Sequence, residues 1–178
     1  MMTRQRAKEL ADLVQQVRKL LALDQSSRIT GWAVFYGEEL VAHGKISVDD
    51  PDIGERLYKI KTQVVELIDK YEITEIVFED IQLQTNVVQN VRTFKVLAEV
   101  FGVLYETFTE LEIPNEAVLA ASWKSTLGIR GADRATQKKN AAEYVANTYA
   151  VKATQDECDA ICIGTHYIKT NPELFDWS

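Results

Sequence analysis

The stretch Leu20-Leu21-Ala22-Leu23-Asp24-Gln25-Ser26-Ser27-Arg28-Ile29-Thr30-Gly31-Trp32-Ala33-Val34-Phe35 constrains this chain more than any other. An apolar run ends in a lone carboxylate, a small polar turn follows, and Gly31 opens a second apolar run. The pattern predicts two adjacent antiparallel strands, with Asp24 at or beside the rim of a sheet. Asp and Ser are common turn formers, so Asp24 taken alone is most simply the residue that ends a strand. It becomes a metal-holding candidate only when other carboxylates converge on the same point.

The rest of the chain supplies the sheet and its cover. Residues 4–20 read as a helix, with Leu10, Leu13, Val14, Val17 and Leu20 at helical spacing. Strands are expected at about 30–36 and 40–48, joined around Tyr36-Gly37-Glu38. Asp49-Asp50-Pro51-Asp52 then starts a helix over about 54–70. Ile73-Thr74-Glu75-Ile76-Val77-Phe78 is a buried-strand pattern that ends in Glu79-Asp80, so a second apolar strand finishes on carboxylates. A long helix is expected over about 87–109, where Val87, Val91, Phe94, Ala98, Phe101, Tyr105 and Phe108 form a heptad-like seam. Val96, Val100, Val103 and Leu104 add a further apolar face. A helix apolar on more than one side is covered on more than one side. One face is expected on the sheet and the other against a second copy of the chain, with burial under the N-terminal helix as the alternative.

Residues 116–121 read as a short strand and residues 122–134 as a connecting segment. Helices at about 134–149 and 155–169 close the chain. The order predicts an α/β fold, a mixed five-stranded sheet flanked by helices, in one domain with an extra N-terminal helix.

Composition narrows the function. With 178 residues, 46% of them hydrophobic, the chain has the material for one sizeable core. No apolar run approaches the ~20 residues of a membrane helix, and no signal-peptide pattern is present. Two cysteines make no disulfide framework, so a reducing cytoplasm is expected. The net charge of −7 excludes coating nucleic acid by bulk electrostatics. It leaves open a nuclease, whose metal site is itself built of carboxylates.

The last helix begins Gln155-Asp156-Glu157-Cys158-Asp159, so Asp156 and Asp159 share one face of its first turn. Acids there also complement the helix dipole, which is reason enough for either alone. Glu157 points about a quarter-turn away. The combination shifts the balance: Asp24 ends one strand, Glu79 ends another, and the Asp156/Asp159 pair can close the cluster. Packed carboxylates repel without a cation between them. Hard oxygen donors select Mg²⁺ or Mn²⁺, and two such ions suit phosphodiester hydrolysis. Cys158, Cys162 and His166 also share a helix stripe. They offer at most three ligands where structural zinc takes four, so small core thiols are the better reading, with His166 as a group supporting the metals.

The chain resembles the RuvC family of Holliday-junction resolvases, within the RNase H-like nuclease and integrase superfamily. The matching residues are Leu23-Asp24-Gln25-Ser26-Ser27-Arg28-Ile29-Thr30-Gly31-Trp32, Val77-Phe78-Glu79-Asp80 and Asp156-Glu157-Cys158-Asp159-Ala160, with the long helix and Trp123-Lys124-Ser125-Thr126-Leu127-Gly128-Ile129 in place. The resemblance implies a homodimer that nicks a four-way DNA junction symmetrically. Each subunit would use two divalent metals held by Asp24, Glu79, Asp156 and Asp159. Two departures stand out: family members usually follow the first Asp with Pro-Gly, where this chain has Gln25-Ser26, and some carry an aromatic wedge where it has Gln82. They imply looser, branch-structure-selective cleavage of the kind phages carry, reaching forks and flaps.

The DNA contacts are expected from Arg28, Gln82, Lys124, Arg130, Arg134 and Lys138, with Lys139 beside them. A solvated helix start accounts equally well for any one of these cations. Three readings compete with a DNA nuclease. A relative of this fold acting on RNA is one, and a branched-DNA-binding protein without cleavage is another. Actin-like ATPases share the fold start but need two such domains.

Overall fold

The computed structural model describes residues 3–6, 18–82 and 90–172. Its sheet comprises β1 (Lys19–Asp24), β2 (Ile29–Tyr36), β3 (Glu39–Ser47), β4 (Glu75–Glu79) and β5 (Asn115–Val118), in the order β3-β2-β1-β4-β5. β1, β2 and β3 pair antiparallel, whereas β1–β4 and β4–β5 are parallel. Parallel neighbours need a crossover. Helix α1 (Ile53–Tyr71) supplies it before β4, and α2 (Asn90–Glu110) before β5. Helices α3 (Ala120–Leu127), α4 (Arg134–Tyr149) and α5 (Gln155–Thr170) follow.

Because successive strand side chains point to opposite faces, the apolar runs of β1 and β4 serve two cores at once. Leu21, Leu23, Ile76 and Phe78 pack with Ile60, Val64 and Ile68 of α1 and Val100, Leu104 and Phe108 of α2. Leu20, Ala22 and Val77 pack on the other face with α3, α4 and α5. Helix α5 lies close on the strands because glycine makes room. A Cβ on Gly164 would overlap the Phe35 ring, and one on Gly31 would overlap the Asp156 carbonyl. Glu75, 1% exposed, accepts a hydrogen bond from the Tyr167 hydroxyl at 2.6 Å and pairs with Arg18, so its burial is compensated.

Several boundaries differ from the sequence reading. Lys19 and Leu20, assigned above to the N-terminal helix, pair with Tyr36 and Phe35 of β2. The ladder overrides the local helical spacing there. Residues 4–6 are helical; residues 7–17, the rest of that expected helix, lie outside the described residues, as do the expected first turn of the long helix and the C-terminal tail. The strand expected over 116–121 is β5 but stops at Val118, and α3 takes Ala120 and Ala121 together with the first half of the supposed connecting segment. That helix buries Trp123 and Leu127, four residues apart, and ends at Gly128, whose φ of 68° suits the left-handed cap.

Helix α2 is two-sided as expected. Val100, Leu104 and Phe108 are buried, while Val91 and Tyr105 are 60% and 53% exposed. No helix among the described residues is long and apolar enough to cross a membrane.

Gly31→Ala should destabilise the protein by about 1–3 kcal/mol in urea denaturation, because the new methyl group meets main chain that cannot swing aside. Wild-type stability in this variant would show that α5 docks elsewhere.

Candidate active site

β1 and β4 run side by side, with Leu23 registered against Phe78. One step further along each strand come Asp24 and Glu79. By strand alternation both project toward the face covered by α5. The start of α5 is fixed from two directions. Glu157 accepts the Thr154 amide at 2.7 Å, closing the first turn, and its other oxygen contacts His43 Nδ1 of β3 at 2.9 Å. Gly31, paired with Asp24 across β1–β2, admits the Asp156 carbonyl. Asp159 follows one turn later on the same helix face. The four carboxylates therefore line one cleft of about 360 Å³, together with Lys124, Arg134 and Lys138.

The acids disturb one another. Burial raises Asp24 well above the usual carboxylate range, and repulsion from Glu79, Asp159 and Asp156 adds to it against the pull of Arg134. Burial also raises Glu79, opposed by the Trp123 hydrogen bond and by Lys124 and Arg134. Asp159 is pushed up to about 6, mainly by burial, although Gln155 donates to it at 2.8 Å. Among the described residues, no three His, Cys, Asp or Glu side chains already form a coordinating cluster. The donor set nevertheless suits a hard divalent cation. Several oxygens short of positive charge are what Mg²⁺ or Mn²⁺ would relieve, beyond the partial relief that Lys124, Arg134 and Lys138 give.

Of the residues expected to contact DNA, Lys124, Arg134 and Lys138 line this cleft. Gln82 lines an adjoining one of about 620 Å³, with Glu79 and Phe94. Arg28 pairs with Asp49 at 3.1 Å and is exposed, and Arg130 is also exposed; neither lines these clefts. Lys139 is exposed and stands 3.9 Å from Glu143. Cys158 and Cys162 are free buried thiols, and His166 Nδ1 meets the Thr126 hydroxyl at 2.8 Å.

Two residues around Glu79 escaped the sequence reading. Gln25 donates through Nε2 to the Glu79 carbonyl at 2.6 Å and accepts the Glu79 amide at 3.2 Å. Trp123 Nε1 donates to Glu79 Oε2 at 2.9 Å. In the sequence Trp123 stands out only within the Trp123-Lys124-Ser125-Thr126-Leu127-Gly128-Ile129 stretch of the resemblance, which does not say what its indole reaches. Gln25 stands out only as a departure from the family's Pro-Gly, with nothing to tie it to Glu79.

A carboxyl raised by folding binds its proton more tightly in the native state. Its stabilisation is therefore complete below the unfolded value and lost as pH rises through the folded one. Without added metal, Asp159→Asn should thus raise the Tm relative to wild type at pH 7.5. The gap should close as pH falls through about 6 towards 4. Calorimetry across that range checks it; a gap independent of pH contradicts the electrostatic account.

The fold has counterparts among solved structures. The chain is similar to Thermus thermophilus RuvC in complex with a Holliday junction substrate, at a TM-score of 0.70 and 15% identity, covering 87% of this chain and 96% of that one. It is also similar to the yeast mitochondrial Holliday junction resolvase Ydc2, at 0.58 and 13%, covering 97% and 88%. Fowlpox virus resolvase, solved with Holliday junction DNA, matches at 0.55 and 12%, covering 85% and 97%. No curated protein sequence matches the chain significantly. The family model described as crossover junction endodeoxyribonuclease RuvC matches residues 20–166, a span that includes all four cleft carboxylates, and the chain belongs to the RuvC family.

Proposed function

We propose that this protein is a divalent-metal-dependent endonuclease that cuts four-way DNA junctions and related branched DNA. The observation that carries the reading is the convergence of Asp24, Glu79, Asp156 and Asp159 in one cleft rimmed by Lys124, Arg134 and Lys138. Asp24, Glu79, Asp156 and Asp159 would hold Mg²⁺ or Mn²⁺, two ions per subunit. When bound, such ions supply an activated water and neutralise charge on the leaving oxygen.

The chain's own residues do the rest. Lys124 and Arg134 line the same cleft as the carboxylates and would hold the phosphate there, offsetting the repulsion an anionic backbone meets in a chain of net charge −7. Lys138, one helical turn beyond Arg134 on α4, extends the cationic track. Strand-borne Asp24 and Glu79 keep the site rigid. Two copies would join along α2, through the exposed stripe that includes Val91 and Tyr105, to give symmetric nicks.

The first experiment is cleavage of a labelled four-way junction beside a linear duplex of the same arms, with Mg²⁺. Wild type should nick the junction. Asp24→Asn should bind it but cut more than about 100-fold slower, since losing even a residue that supports a metal ligand costs 10–100-fold. Equal cutting of forks and flaps would broaden the substrate to branched DNA in general; no cutting with Mg²⁺ or Mn²⁺ would overturn the catalytic reading. Independently, wild type should sediment as a dimer at micromolar concentration and Tyr105→Glu as a monomer. A monomeric wild type removes the proposed α2 interface.

A further inference from the structure

Glu79 is held at two points, by Gln25 and Trp123, neither of which is one of the cleft carboxylates or cations. β1 ends at Asp24, so past that residue β4 has no strand beside it on this edge. The Gln25 side chain takes the vacant place. A primary amide carries a donor and an acceptor like a peptide unit, and here both meet the Glu79 main chain. At 7% exposure this amide is removed from competing water. The carboxylate is held separately by Trp123, 2% exposed, whose ring has one donor and spends it on Oε2. A free Glu side chain would lose considerable rotamer entropy on being fixed by a ligand. Here the fold has already removed that freedom.

We propose that Gln25 and Trp123 are positioning residues for Glu79, the amide fixing its main chain and the indole its carboxylate, so that it meets a divalent cation preorganised. This rests on the reading of Glu79 as a metal ligand. The same indole also faces Lys124, whose Nζ lies 5.3 Å from the ring centroid and donates to Gln137 Oε1 at 3.2 Å. Trp123 thus joins the carboxylate side of the cleft to its cationic rim.

The test separates the N–H from the ring. Trp123→Phe keeps an aromatic face for Lys124 and removes the donor; Gln25→Met keeps bulk and removes both hydrogen bonds. Mn²⁺ binding, followed by electron paramagnetic resonance well below each variant's Tm, should weaken about 10–100-fold in both. Trp123→Phe should add nothing in a Glu79→Gln background. A residue that only supports the core would lower Tm and leave Mn²⁺ affinity unchanged. Wild-type affinity in folded Trp123→Phe and Gln25→Met, alongside weakened binding by Glu79→Gln, overturns the positioning role and leaves the metal site standing. Wild-type Mn²⁺ binding and junction cleavage by Glu79→Gln overturns the metal reading itself. Should either variant fail to fold, the wild type still decides. The Trp123 indole N–H resonance should shift on Mg²⁺ titration as Oε2 is polarised, and a resonance that stays fixed at saturating Mg²⁺ overturns the proposal.

Discussion

The arrangement depends on main chain lying against main chain where α5 meets β2. Gly31 has no Cβ, so the carbonyl of Asp156 sits where any other side chain would begin. Gly31 is also the register partner of Asp24. One contact therefore fixes the first turn of α5 directly over the end of β1, and the acids of that turn against the acid of that strand. Gly164 also brings the helix close further along, but there against the side chains of Phe35 and Ala22; only at Gly31 does backbone meet backbone. Backbone distances set this way are stiffer than any side-chain packing, because nothing in the contact has a rotamer to change.

Stiffness matters because the cleft works against the fold. Asp24, Glu79 and Asp159 are all held with raised proton affinity, so their charged forms are each less comfortable in the native state than in water. The doubly buried strands on which Asp24 and Glu79 ride supply the excess stability that keeps them together. Sites of this kind are local conflicts that the surrounding structure over-determines. The hydrogen bonds from Trp123 and Gln155 soften the conflict without removing it.

Glu157 shows how a residue with the right chemistry ends up in another role. It sits between Asp156 and Asp159 in sequence, but the helical turn carries it to the β3 side. There it closes the first turn of α5 with Thr154 and meets His43. Helical geometry separates neighbours in sequence and unites residues three apart. The same rule made the acid pair legible and set Glu157 aside. His43, distant in sequence, meets the start of α5 through that contact.

What the sequence determined by itself was periodicity and its interruptions. Apolar runs ending on Asp24 and Glu79, an acid pair three apart at a helix start and a helix apolar on two sides are local patterns. The strands, the long helix and the four carboxylates follow from them. What only the tertiary structure decided was register and docking. Lys19 and Leu20 became strand because β2 offers them a ladder, and Ala120–Leu127 became helix because Trp123 and Leu127 find the core beneath α5. Gln25 reads as a turn residue until β4 is placed beside β1, when its side-chain amide stands within hydrogen-bonding distance of the Glu79 main chain. Trp123 reads as a buried aromatic until α3 is laid over the end of β4. A hydrogen bond between residues 44 or 54 positions apart leaves no periodic trace, because neither partner's neighbours need to know of the other.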